Sequence, residues 1–94
     1  MKAGLLTLSF RLYSIESLKG RRSVVKRILA DVRRMGPAFA ACEVPGNGGL
    51  TDLTVRVVHL STDARFTDST LRRVAERFER KPDYAVTESA IEIL

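Results

Sequence analysis

This 94-residue chain has one cysteine, one histidine and six aromatic residues, and no apolar run long enough to cross a bilayer. Each shortage excludes something. A lone Cys42 cannot close an intramolecular disulfide, which fits a reducing cytoplasm. His59 has no second histidine beside it, and Cys42 stands at an unrelated spacing, so a zinc site lacks ligands and neither a metal nor a cofactor is expected. The opening stretch "MKAGLLTLSFRLY" is interrupted by Thr7, Ser9 and Arg11. It therefore makes a poor signal-peptide core and cannot span a membrane. A cytoplasmic protein with no membrane partner is the expectation.

What is present is a small globular composition, 45% apolar and 29% charged, that argues against wholesale disorder. The length suits a single domain over residues 1–94 with one two-layer core. Charge is unevenly spread. Between Ser17 and Gly36 lie seven basic residues and one acid, a local net of +6, while the rest of the chain nets −1. Basic excess of this kind steers a protein toward polyanions and says nothing about its fold.

Residues 4–13 alternate, with Leu6, Leu8, Phe10 and Leu12 on one side and Thr7, Ser9 and Arg11 on the other, the period of a strand. Ser17 is a candidate N-cap for a helix whose apolar stripe is Leu18, Val25, Ile28, Leu29 and Val32. Gly36-Pro37 stops it. Pro37–Val44 reads as a second, nearly uncharged strand, and residues 53–61 as a third, joined through a glycine-bearing turn. Thr62 or Asp63 caps a second helix with Phe66, Leu71, Val74, Ala75 and Phe78 on its inner side, ended by Pro82. Ile91 and Ile93 alternate with Glu92 in a last strand.

The order βαββαβ folds most simply as a ferredoxin-like α+β sandwich, two helices on one face of a four-stranded antiparallel sheet in order 4-1-3-2. Leu6, Leu8, Phe10, Leu12, Val55, Val57, Ile91 and Ile93 are then expected to face the helices. Cys42 is expected as a small core hydrophobe. Arg11 and Arg56 fall on the open face, where Glu88 or Glu92 are the expected partners. Glu76 has Arg72 and Arg80 at helical spacing.

Several motifs together, "LLTLSFRL", "SLKGRRSVVKRIL", "ACEV", "VVHLSTD" and the terminal "IEIL", resemble the YlxP-like family of small bacterial proteins over nearly the whole chain. The resemblance implies a ferredoxin-like fold. It also implies, through the company of the family's genes, a link to translation, and it supplies no catalytic residues. Two features depart from the family pattern: Gly20 replaces a polar residue after Ser-Leu-Lys, and "GNGG" replaces a polar loop that often carries tryptophan.

Candidate chemistry is sparse. "GNGGLTD" is followed by a strand and lacks Walker spacing, so the glycine-rich 46–49 loop is a hairpin connection. The first connection, "SIES", offers no phosphate cradle, and no catalytic residues are assigned. The open sheet face lacks the aromatic pair on which an RNA-recognition motif stacks bases. The first helix is different. At 100° per residue, Lys19, Arg22, Lys26 and Arg33 fall within about 60° of one another, with Arg27 and Arg34 on the flank. Arg21 lies nearer the apolar stripe, where its stem snorkels. Lys19, Arg22, Lys26, Arg27 and Arg33 are the expected phosphate contacts of a non-enzymatic factor that meets RNA or a ribosomal particle. The alternative is a homodimeric protein-interaction module joined through the Pro37–Val44 edge strand or the open sheet face, its charge serving solubility.

Overall fold

The computed structural model describes residues 1–46 and 49–94; the central part of the 46–49 loop lies outside the described residues. Six elements follow the expected order: β1 (Lys2–Leu12), α1 (Leu18–Arg33), β2 (Phe39–Glu43), β3 (Asp52–Ser61), α2 (Ala64–Glu79) and β4 (Tyr84–Ile93). They form one antiparallel sheet in the order β2-β3-β1-β4. Both helices cover the same face, which is the ferredoxin-like α+β sandwich. Among the described residues no helix is long and apolar enough to cross a membrane.

Local chemistry explains where the helices begin. Ser17 is extended, and its Oγ accepts a hydrogen bond from the Gly20 N–H at 3.0 Å, satisfying one of the first-turn donors. Of the two possible caps for α2, Asp63 is the one used: its Oδ1 accepts from the Arg65 N–H at 3.0 Å. After α1, Gly36 takes φ 130°, a region that a side chain would strain. Pro37 and Ala38 form a turn, so β2 is shorter than the apolar run suggests and starts at Phe39.

Period-two burial in β1 and β3 builds the floor of the core. Leu6, Leu8, Phe10, Leu12, Val55 and Val57 are buried beneath Val25, Ile28 and Val32 of α1 and Leu71, Val74 and Phe78 of α2. Phe10 centres an aromatic cluster, meeting Phe78 and Tyr84 edge-on at 5.9 Å and 5.1 Å.

Ile91 and Ile93 face the helices as expected, Ile91 half-buried against the core and Ile93 38% exposed, because β4 is an edge strand with cover on one side. Four other expectations about side chains are corrected. Phe66 is 52% exposed; Thr67, one residue on, takes the inner position instead. Cys42 is exposed, since it shares the open face with Arg56, its register partner on β3. Arg11 and Arg56 do not pair with Glu88 or Glu92. Arg11 lies 3.7 Å from Asp52, and β1 separates Arg56 from β4 by two strand spacings, about 9.6 Å. On α2 the i,i+4 pair is Asp68–Arg72 at 2.8 Å, not Glu76 with an arginine; an acid N-terminal to its cation is the favoured order.

Candidate nucleic-acid interface

The basic run folds into a helix whose inner stripe is fixed by the core, so its cations are sorted by geometry. Val24, Val25, Ile28 and Val32 point inward. Lys19, Arg22, Lys26 and Arg33 lie on the outward side, all exposed, and no salt bridge engages them among the described residues.

Their neighbours are occupied. Arg21 leans back along the sheet, reaching Glu43 on β2 at 2.9 Å and the Asp52 carbonyl at 3.1 Å. Its side chain is 18% exposed, so this is a clamp between α1 and the β2–β3 hairpin rather than a free charge. Arg27, also expected among the phosphate contacts, is 62% exposed and donates to the Asp83 carboxylate at 3.2 Å across to the α2–β4 connection. Arg34 pairs with Asp31 one turn back. Four of the five expected contacts thus form one free set, and Arg27 stands apart. The first turn of α1 contains no acid and does contain Lys19, which opposes the positive end of the helix dipole.

The surface pairing expected on α2 is that of Glu76 with Arg72 and Arg80. Only Arg72 is paired there among the described residues. Arg73 and Arg77, four residues apart, border a shallow apolar hollow floored by Met35, Phe39 and Val74, where the end of α1 meets β2 and α2. The readable signal was their spacing: they lie just outside the buried set Leu71, Val74, Ala75 and Phe78.

The one histidine is interior. His59 is 3% exposed, its ring between Phe39 at 4.6 Å and Phe66 at 5.8 Å. Ser61 Oγ spends its proton on the Asp63 carbonyl at 2.8 Å, so Thr67 must donate to Ser61 across 2.6 Å. Thr67 Oγ1 then accepts from His59 Nδ1–H at 3.0 Å, which assigns the tautomer. Burial pushes the His59 pKa down from 6.5 and keeps the ring neutral. Tyr84 is pushed up to about 12, first by burial and then by the negative charges of Asp31 and Asp83.

The fold and this surface define an α+β sandwich with a basic outer helix. A family model, "Protein of unknown function (DUF503)", matches residues 3–91, and the chain belongs to that family. No curated protein matches it. Among solved structures, the de novo designed protein Foldit4 is similar with a TM-score of 0.57 at 17% identity, over 98% of this chain and 96% of that one. A mutant of SnoaB, a cofactor-independent oxygenase from Streptomyces nogalater, gives 0.49 at 14% identity, covering 99% of this chain and 90% of that one. An amidase of the hydantoinase/carbamoylase family from Burkholderia multivorans gives 0.45 at 17% identity, with 99% of this chain matched to 27% of that one. At 17% identity the likeness to Foldit4 is one of fold.

Proposed function

We propose that this protein is a non-enzymatic cytoplasmic factor of the YlxP-like group that contacts RNA, alone or within a ribosomal particle, through phosphates bound by α1. The observation that carries this reading is the sorting of the helix cations. Arg21, Arg27 and Arg34 are held by carboxylates, while among the described residues Lys19, Arg22, Lys26 and Arg33 stay unpaired on one outer side. Exposed arginines and lysines without base-reading aromatics give affinity without sequence readout. The absence of an aromatic side chain at Thr7, Ser9, Arg56 and Val58 supports contact through the helix rather than the sheet. The alternative, a homodimeric module with no nucleic-acid role, draws on the open sheet face. The two are physically compatible, since α1 lies on the other face.

The test is binding to purified ribosomal subunits and their RNA across a salt titration. Four phosphate contacts give a log–log slope of about −3 to −4 and a loss of roughly 50- to 150-fold between 50 and 200 mM salt. The folded triple variant Lys19→Glu, Arg22→Glu, Lys26→Glu should lose this binding. Equal binding by that variant, or binding insensitive to salt, overturns the proposal.

A further inference from the structure

The flank of α2 that looks toward α1 is basic and apolar at once. At 100° per residue, Phe66, Thr70, Arg73 and Arg77 fall within about 60° of one another, beside the buried stripe of Thr67, Leu71, Val74 and Phe78. From Phe66 to Arg77 this flank runs roughly 16 Å along the helix. Against it lies the hollow floored by Met35, Phe39 and Val74, with a volume of about 210 Å³. Pockets for drug-sized molecules hold ~300–1,000 Å³, so this one takes a single ring system rather than a whole ligand. No carboxylate lines it, whereas the hollows beside Asp52, Asp83 and Glu76 each hold at least one. Arg73 and Arg77 are exposed on its rim, and neither has an ion-pair partner among the described residues. At the N-terminal end of the flank Phe66 is 52% exposed, its ring 5.8 Å from His59, which in turn meets Phe39 at 4.6 Å.

We propose that this flank binds unpaired nucleotides of RNA: one base enters the hollow, a neighbouring base stacks on Phe66, and Arg73 and Arg77 take the adjoining phosphates. Each part has its physical reason. An open aromatic ring offers a stacking platform that every base can use, and guanidinium groups bind phosphate and lie flat on rings. The floor of Met35, Phe39 and Val74 carries no polar side chain to read a base edge. The site therefore separates single strands from duplexes and does not separate one base from another. A duplex keeps its bases stacked and paired, and so it meets only the cations. Continuity favours RNA over an acidic peptide: both helices cover one sheet face, so the hollow opens in the layer that carries Lys19, Arg22, Lys26 and Arg33. The site rests on the phosphate reading of α1, since the strand it draws from is the one held there.

The experiment pairs two readouts on folded protein, checked by circular dichroism. Fluorescence anisotropy compares a labelled single-stranded RNA with the same strand annealed to its complement. The wild type should prefer the single strand. Phe66→Ala should weaken that binding roughly 5- to 150-fold and leave duplex binding unchanged. In the second readout, millimolar adenosine 5′-monophosphate is titrated while the Met35 methyl signal is followed by NMR. The signal should shift saturably in the wild type and in the Lys19→Glu, Arg22→Glu, Lys26→Glu variant, and should stay fixed in Arg73→Glu with Arg77→Glu. A Met35 methyl that the nucleotide does not move, or a single-strand preference that survives Phe66→Ala, overturns the proposal. So does a methyl that answers to a peptide of alternating glutamate and leucine and not to the nucleotide. Failure of the α1 reading is seen separately, as duplex binding that the Lys19, Arg22 and Lys26 reversals leave intact.

Discussion

Gly4 shows how much a single missing side chain can matter. It lies buried in β1, where an added Cβ would overlap Thr67 Cγ2 and come within 2.8 Å of Leu71 Cδ1. Thr67 cannot yield easily, because its hydroxyl is held by His59 and Ser61. Gly4→Ala should therefore destabilise the fold by about 1–3 kcal/mol, read as a lower urea midpoint with unchanged slope. An unchanged midpoint would mean that α2 can move away. His59 yields a pH prediction with a definite sign. Its native pKa lies below 6.5, so the unfolded chain takes up the proton first as the solution is acidified. Stability is full above 6.5 and falls as pH drops from there through the native pKa. An imidazole NMR titration showing a midpoint at or above 6.5 would refute this. Tyr84 works in the opposite direction: with a native pKa of about 12, it should cost stability as pH rises from about 10 toward 12. That alkaline loss should shrink in Tyr84→Phe, measured by denaturant melts.

At the level of elements, α1 combines good and poor helix chemistry. Ser17 caps it, yet Gly20 three residues later brings the entropy cost of glycine and no side chain to return the capping bond. A Cβ at Gly20 would meet only Ser17 Oγ at 3.4 Å and Ile15 Cδ1 at 3.9 Å, ordinary contacts. Gly20→Ala should therefore stabilise the protein by about 0.5–1 kcal/mol, whereas Ser17→Ala should cost ~1 kcal/mol. Thermal melts of the two variants moving in the same direction would contradict the capping geometry. This helix was legible in advance, from Ser17 to Gly36, because cap, stripe and stop are local signals. Which of its cations are free was not legible. Arg21 and Arg27 find Glu43 and Asp83 only because β2 and the α2–β4 connection are brought alongside. Phe66 and Thr67 show the same limit, since adjacent positions on a helix differ by 100° and a pattern of apolar residues cannot choose between them.

For the whole molecule, two faces of one sheet carry two different surfaces. The helix layer is basic on its outer side, and the open face is mixed, with Arg56 and the β4 glutamates separated by β1. Charge reversal on the open face should leave binding by the helix intact: a folded Arg56→Glu variant should still bind RNA with the salt slope of the wild type, checked by fluorescence titration at several ionic strengths. Loss of RNA binding in that variant would show that the open face, not α1 alone, meets the RNA. The amino-acid sequence by itself determined the six elements, their order and, through period-two burial in β1 and β3, which sheet face meets the helices. It could do so because hydrogen-bonded periodicity and handed crossovers act over short stretches of chain. Only the tertiary structure decided that Cys42 faces outward, that His59 lies in the core on Thr67, and that Arg27 is bound while Lys26 beside it is free. Those outcomes depend on partners 8 to 56 residues away along the chain, whose distances in space no local pattern encodes.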